Sequence, residues 1–385
     1  MSCNYADGLS PYEDKGILGI PEKFEDAEKV DEKCEILAKW INESEHVVVH
    51  TGAGISTAAG IPDFRGPKGV WTLEREGKKP AINISFDKAV PTKTHMALKH
   101  LLDLNKIQYI VSQNIDGLHL KSGVPRSSIS ELHGNMFIEQ CNVCESQFVR
   151  HTATTSVGKK LLGGECRRAL VQGRVCRGKL YDTILDWEDN LPAYDLDMAD
   201  YQSSLANLNI CLGTTLQIKP SGLLPLKNKK YGGKVAIINL QPTKHDKKAD
   251  LVINSYVDEV MEKVMEKLSL KIPVYKTEND PILNPPSREV QHWNILKRDV
   301  KTYSKKYSQF SKDFKKRRRD VQKEPTIKKA KSKNGTVVKK GEIKQDESPE
   351  GAIKIDNSET LKKEEPDIKK EKVDDTKENS DNQKN

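Results

Sequence analysis

No apolar run in the 385 residues approaches the roughly 20 needed to span a bilayer. The opening stretch, MSCNYADGLSPYEDKG, holds no hydrophobic signal core, so a secreted form is not expected. Outside an oxidising compartment, the seven cysteines point to metal ligation or free thiols rather than disulfides. Charge imbalance is also missing from most of the chain. Residues 1–270 carry 34 basic and 35 acidic side chains, whereas residues 271–385 carry 30 and 21. The net charge of +8 therefore belongs to the C-terminal part. Within it, residues 297–340 hold 18 basic against 4 acidic side chains, and the last 45 residues hold 9 against 14.

Patterning divides the chain into three. Residues 1–25 read as a polar arm punctuated by Gly and Pro. Residues 26–270 read as one α/β domain. A helix is expected over 28–43, with Val30, Cys34, Leu37, Trp40 and Ile41 on one face. Strands are expected at 46–50, 107–113, 208–213, 235–240 and 250–253, with helices such as 94–104 between them. A last helix at 255–268 carries the apolar stripe Val257, Val260, Met261, Val264, Met265 and Leu268. Alternating strands and helices imply a Rossmann-like, doubly wound parallel sheet with ligands at the strand C-termini. From residue 271 on, apolar content falls while Lys, Glu, Pro and Ser rise. Such a segment buries too little apolar surface to offset its ordering entropy, so residues 271–385 are expected to be a disordered tail.

Residues 46–66, HVVVHTGAGISTAAGIPDFRG, carry the most information. The apolar run Val47-Val48-Val49 leads into Gly52-Ala53-Gly54 and a small-residue segment, Ile55 to Ala59, that reads as a helix start. Strand, glycine turn and helix start together present backbone N–H groups to a pyrophosphate. Two parts of the ordinary dinucleotide fingerprint are absent. Thr57 stands where a third glycine is expected, and no acidic residue ends a strand about 20 positions on. In their place is a second loop, GIPDFRG, which a hydride-transfer site does not require.

Two further motifs follow. SQNIDGLH, residues 112–119, puts Gln113, Asn114 and Asp116 at a strand end facing the crevice. ELHGN then places His133 before a glycine. A histidine alone is more often structural, but this one follows a Gln/Asn/Asp cluster and precedes a metal-type cysteine pair. Cys141 and Cys144 form that pair, with Cys166 and Cys176 beyond it. Four cysteines fit a tetrahedral all-thiolate zinc site with no open position, hence a structural one. His151 is a weaker substitute ligand.

GAGIS, GIPDFRG, QNIDGLH and the LHG histidine, in this order, resemble the sirtuin family of NAD-dependent protein deacylases. NYADGLSPY, DTILDWED and NLQPTKHD resemble its nuclear, class IV branch. The resemblance runs from residue 1 to about 270 and implies a small zinc module inserted at about 134–185. It implies that Ala53, Thr57, Phe64, Arg65, Trp71 and Gln113 line the NAD site near the pyrophosphate and nicotinamide ribose. Gly213, Thr215, Asn239 and Gln241 would hold the adenosine end, Val257 the adenine, and Asp116 with Ile61 the nicotinamide carboxamide. The implied reaction removes an acyl group from lysine, releasing nicotinamide and O-acyl-ADP-ribose. His133 would be general base on a ribose hydroxyl, and Asn114 would position a hydroxyl or water. DTILDWEDNLP and LGTTLQIKP would wall the acyl-lysine channel, and Trp187, Ile184 and Leu185 leave a preference for longer acyl chains open.

The implied substrates are acylated histone tails and nucleosomes in the nucleus. Mono-ADP-ribosyl transfer is a related outcome, and a non-catalytic chromatin scaffold the reading from another class. Arg167, Arg168, Arg174 and Arg177 between and beside the last two cysteines suit an acidic or phosphate-bearing partner. In the tail, residues 314–319 (FKKRRR) and 328–331 (KKAK) read as a nuclear localisation signal. Tyr303, Tyr307, Phe310 and Phe314 recur at helical spacing among lysines. That pattern is residual in a disordered chain, or else a basic helix that folds on DNA or a partner. IKQD, IKID, LKKE and IKKE, between 343 and 371, look like SUMO-acceptor sites.

Overall fold

The computed structural model describes residues 5–6, 8–79, 84–166, 168, 174–284 and 293–323. Ten strands follow one another among them: β1 (Val47–Thr51), β2 (Tyr109–Ser112), β3 (Ile129–Glu131), β4 (Ile138–Cys141), β5 (Gln147–Val149), β6 (Leu161–Glu165), β7 (Lys179–Asp182), β8 (Leu208–Leu212), β9 (Lys234–Ile238) and β10 (Leu251–Ile253). Six form a sheet in the order β10-β9-β8-β1-β2-β3. Every pairing in it is parallel. The other four form an antiparallel sheet in the order β5-β4-β7-β6, inserted between β3 and β8.

The helices are α1 (Ala27–Glu43), α2 (Val70–Arg75), α3 (Lys93–Asp103), α4 (Leu118–Lys121), α5 (Ala193–Leu205), α6 (Val257–Lys267) and α7 (Lys297–Lys323). The parallel sheet is covered on both faces, so its strands are mostly apolar, with polar residues such as Thr51, Ser112 and Glu131 toward their C-terminal ends. Side chains alternate between the faces. Val47 and Val49 enter the core shared with Leu37 and Ile41 of α1 and Val260 and Val264 of α6. Val48 points the other way, toward Met198 and Ala199 of α5 and Leu224. The expected apolar stripes of α1 and α6 are the faces these helices bury.

Two expectations fail. Ile55 to Ala59 opens no α-helix. It forms two short 3-10 turns, Ala53–Ile55 and Thr57–Ala59, ended by Gly60 at φ +83°. Ser56 is drawn inward by Asp116, and Pro62 follows at once, so no helix can propagate. The chain after 271 is also not wholly a disordered tail. Ile282, Trp293, Ile295 and Val300 are buried, and α7 runs for 27 residues against α5. Its aromatic stripe makes the contact. Tyr307 lies 5.7 Å from Tyr201, and Phe310 and Phe314 lie 4.9 and 5.2 Å from Tyr231, between ring centroids. The structure bears out the helical reading of the four rings rather than the disordered one that averaged composition implies. The candidate signals at 328–331 and the SUMO-like repeats lie outside the described residues.

Candidate functional site

The sheet reverses its winding between β1 and β8, so the loops after these strands diverge and leave a crevice at their C-terminal ends. A cavity of about 520 Å³ lies there. The turns after β1, β2, β8 and β9 supply Gly52 to Gly54, Gln113 to Ile115, Gly213 to Thr215, and Asn239 with Gln241. The loop carrying Asp63, Phe64 and Arg65, Trp71 of α2, and His133 complete one side. Leu185 to Trp187 and Asp189 to Leu191 form the opposite wall.

The glycines are required by a backbone-to-backbone contact. A Cβ on Gly54 would stand 2.7 Å from Gly213 Cα, and one on Gly52 2.7 Å from Gly213 O. Gly52 N donates to Leu212 O at 3.0 Å and Gly54 N to Gly213 O at 2.9 Å. These two N–H groups hold the strand ends together. The sequence expectation that the glycines simply open the backbone to phosphates is corrected in that respect.

His133 Nδ1 lies 2.9 Å from Gln113 O. A carbonyl only accepts, so Nδ1 carries the proton and the neutral ring has its lone pair on Nε2. Burial, with Arg65 nearby, pushes its pKa down to about 4, against the opposing bond to Gln113. The imidazole is therefore neutral at pH 7 and can take a proton. Asn114 Nδ2 donates to Gly52 O at 3.1 Å and reaches Ser56 Oγ at 3.4 Å. Arg65 Nε donates to Lys15 O, and its guanidinium lies 4.6 Å from the Trp71 ring centre. Burial brings its pKa down to about 10, so it stays a cation.

Five expected residues are not on the cavity wall; two of them, Ile61 and Ile184, are buried in the main core. Asp116 is 4 % exposed, accepting from Ser56 Oγ at 2.6 Å and Leu118 N at 2.9 Å. Burial raises its pKa against both bonds. Thr57 is exposed and donates to Gly54 O. Val257 opens α6 and packs in the main core. Asn239 is on the wall, but its Nδ2 is bonded to Gln241 O at 2.7 Å. Gln241 Nε2 in turn donates to Ile20 O at 2.6 Å.

Sequence reading missed the N-terminal arm. Tyr5 and Leu9 line the cavity, Ser10 Oγ donates to Asp186 at 2.6 Å, and Tyr12 stacks on Trp187 at 4.7 Å. Arg65 O accepts from Gly19 N, so the arm holds the same loop that the arginine occupies. The signal was available only as aromatics within a polar, turn-rich stretch.

In the second sheet, Cys141, Cys144, Cys166 and Cys176 place their Sγ atoms within 4.8 Å of one another. The pairs Cys141–Cys176 and Cys144–Cys166 are 3.7 and 3.6 Å apart. Tetrahedral Zn–S bonds of about 2.3 Å require about 3.8 Å between sulfurs, so the donor set fits zinc. A Cβ on Gly178 would fall 2.3 Å from Cys141 Sγ, which reserves the space for the metal site. His151 takes no part; its Nδ1 meets Ile282 O at 3.0 Å. Arg174 and Arg177 are exposed, Arg168 bonds Ser146 Oγ, and Arg167 lies outside the described residues.

A Sir2 family model matches residues 77–220. NAD-dependent protein deacetylase Sirt6 of Drosophila melanogaster is 58% identical over 312 residues, covering 80% of this chain and 98% of that protein. The chain belongs to the Sir2 family. Among other sirtuins, NAD-dependent protein deacetylase sir-2.4 of Caenorhabditis elegans is 36% identical, with 71% of this chain and 94% of that one covered. A solved Sir2 with p53 peptide and NAD+ is 31% identical, covering 60% of this chain and 97% of that one at a TM-score of 0.47. As a sirtuin, this chain is an NAD-dependent protein deacetylase with one structural zinc.

Proposed function

We propose that the cavity removes acyl groups from histone lysines in the nucleus, with His133 as the base. The observation that carries this is the His133–Gln113 bond, which leaves Nε2 unprotonated beside Asn114 and Arg65. NAD, when bound, supplies an anomeric carbon whose nicotinamide is displaced by the acyl oxygen. The Gly52–Gly54 turn, Phe64, Arg65, Trp71 and Gln113 would hold its central part, and Gly213, Thr215, Asn239 and Gln241 the adenosine end. The cavity lies within the usual 300–1,000 Å³ range for such ligands. His133 Nε2 accepts a hydroxyl proton, and Asn114 orients that hydroxyl or a water. Leu185 and Trp187 give the acyl channel an apolar wall suited to an aliphatic chain, and acetylated against myristoylated peptides decide its preferred length. Asp116 acts from behind the wall, fixing Ser56 under Asn114. Thr57 and Val257 would reach NAD only if their segments shift.

The same cavity would serve mono-ADP-ribosyl transfer to protein. Arg174 and Arg177 of the zinc module, with the lysines of α7, offer a basic surface for nucleosomes or DNA. Incubation with NAD and acetylated or myristoylated histone peptides, following peptide mass and nicotinamide, tests the reaction. His133→Tyr is expected to abolish deacylation while leaving the fold intact, and wild-type turnover in that variant defeats the assignment. Charge reversal at Arg174 is expected to weaken nucleosome binding, and unchanged affinity defeats the docking role.

A further inference from the structure

Trp293 follows the last helix of the α/β domain, α6, yet its side chain reaches the root of the catalytic loop. Its Nε1 donates to Glu131 Oε2 at 2.9 Å, both groups being buried. The other carboxylate oxygen of Glu131 accepts from Asn135 Nδ2 at 2.6 Å. Glu131 ends β3 and precedes His133 by two residues; Asn135 follows it by two. The carboxylate thus staples the two sides of the turn that carries His133. The turn has little slack, because a Cβ on Gly134 would meet Thr183 O at 2.0 Å. Glu131 N is itself bonded to Asp195 at 2.8 Å. Trp293 N donates to Gln147 O at 2.7 Å, so the indole is held in turn by the zinc module.

We propose that Trp293 is a positioning residue for His133, acting through the Glu131 carboxylate. The inference rests on the reading of His133 as base. An unfilled hydrogen bond to a buried carboxylate would let water into the staple and loosen the turn. Arg65 is the charged group facing His133, and Arg126 and Asp195 face Glu131. None of them changes in the test below.

The test uses the full chain with Trp293→Phe, which keeps a ring and deletes the N–H. Deacylation of an acetyl-lysine peptide should fall on the order of tenfold, as small displacements of a catalytic group do. Exchange of labelled nicotinamide into NAD, which needs no base, should stay within about twofold. In the NAD-free protein, NMR titration of the His133 ring should move up from about 4 toward the ordinary imidazole value of about 6.5. Ile295→Ala, which loosens the same segment without touching Glu131, should lower Tm but leave the ring titration in place. Where Phe is not tolerated, a benzothienyl group at position 293 removes the N–H alone and must give the same split. Deacylation and exchange falling together, or an unmoved ring titration, overturns the proposal. His133→Ala is run in parallel: if it still deacylates, the assignment of the base fails instead.

Discussion

The Sγ atoms of Cys141 and Cys176 lie 3.7 Å apart with no bond between them, a spacing that suits ligands of one tetrahedral zinc. Among the described residues, the small sheet around them buries only Phe148, Leu180 and the cysteines in its own cluster. Ile138 and Val149 tie one end of the sheet to the main core, but the cluster at the cysteines is small, so the metal should contribute much of its stability. Chelation is therefore expected to release one zinc per chain, lower Tm and open the 138–182 region in hydrogen exchange. Gly178→Ala should do the same without chelator, because of the 2.3 Å approach to Cys141 Sγ. Full zinc content in that variant contradicts the prediction.

Gly54→Ala tests the glycine contact. The added methyl would need the 213 loop to retreat, since its nearest neighbour is Gly213 Cα at 2.7 Å. Overpacking of this kind costs about 1–3 kcal/mol. Denaturant melts should show that loss, together with weaker NAD binding by calorimetry. An unchanged Kd means that the turn does not shape the site.

Acid should destabilise the fold through its buried histidines. Burial pushes His50 and His133 down to about 4 and His119 to about 3. The unfolded chain then binds more protons than the folded one between about pH 6.5 and those values. Stability contributed by the neutral rings is complete above about pH 6.5 and falls as pH drops through the window. Asp63, Asp116 and Glu131, raised mainly by burial, act with the opposite sign. The histidine share is isolated with His50→Gln, which should flatten the fall in Tm between pH 6.5 and 4. An identical slope in the variant rules out His50 as a contributor.

Arg126 Nη2 donates to both carboxylate oxygens of Asp195, at 2.8 and 2.9 Å, with both side chains under a tenth exposed. Removing one partner strands a buried charge at a cost of about 3–5 kcal/mol. Arg126→Leu should lose about that much in urea melts, and Arg126→Leu with Asp195→Leu should recover much of it. A double variant no better than the single one contradicts the argument.

The sheet was legible because its strands are apolar on both faces and flanked by amphipathic helices. Val47 to Val49 and Leu208 to Leu212 read directly from composition. The zinc ligands were legible because thiolates at CxxC spacing have few other uses. Asp116 was misplaced because a strand-end motif gives position along the chain, not which side of the loop a side chain takes. Thr57 turned outward when the expected helix became two 3-10 turns. Trp293, and what the α7 rings pack against, were missed for another reason. Their partners, Glu131 and Tyr231, lie 162 and 76 to 83 residues away, beyond any local pattern.

His133 is oriented by a main-chain carbonyl, not by a carboxylate side chain. No codon specifies that oxygen; it is present whatever residue occupies position 113. Point mutation therefore cannot delete the partner of the base, only displace it. Tolerance at position 113 is then limited by what its side chain touches, the cavity and Thr214, and heritable variation in the strength of the base has to enter through what surrounds the ring.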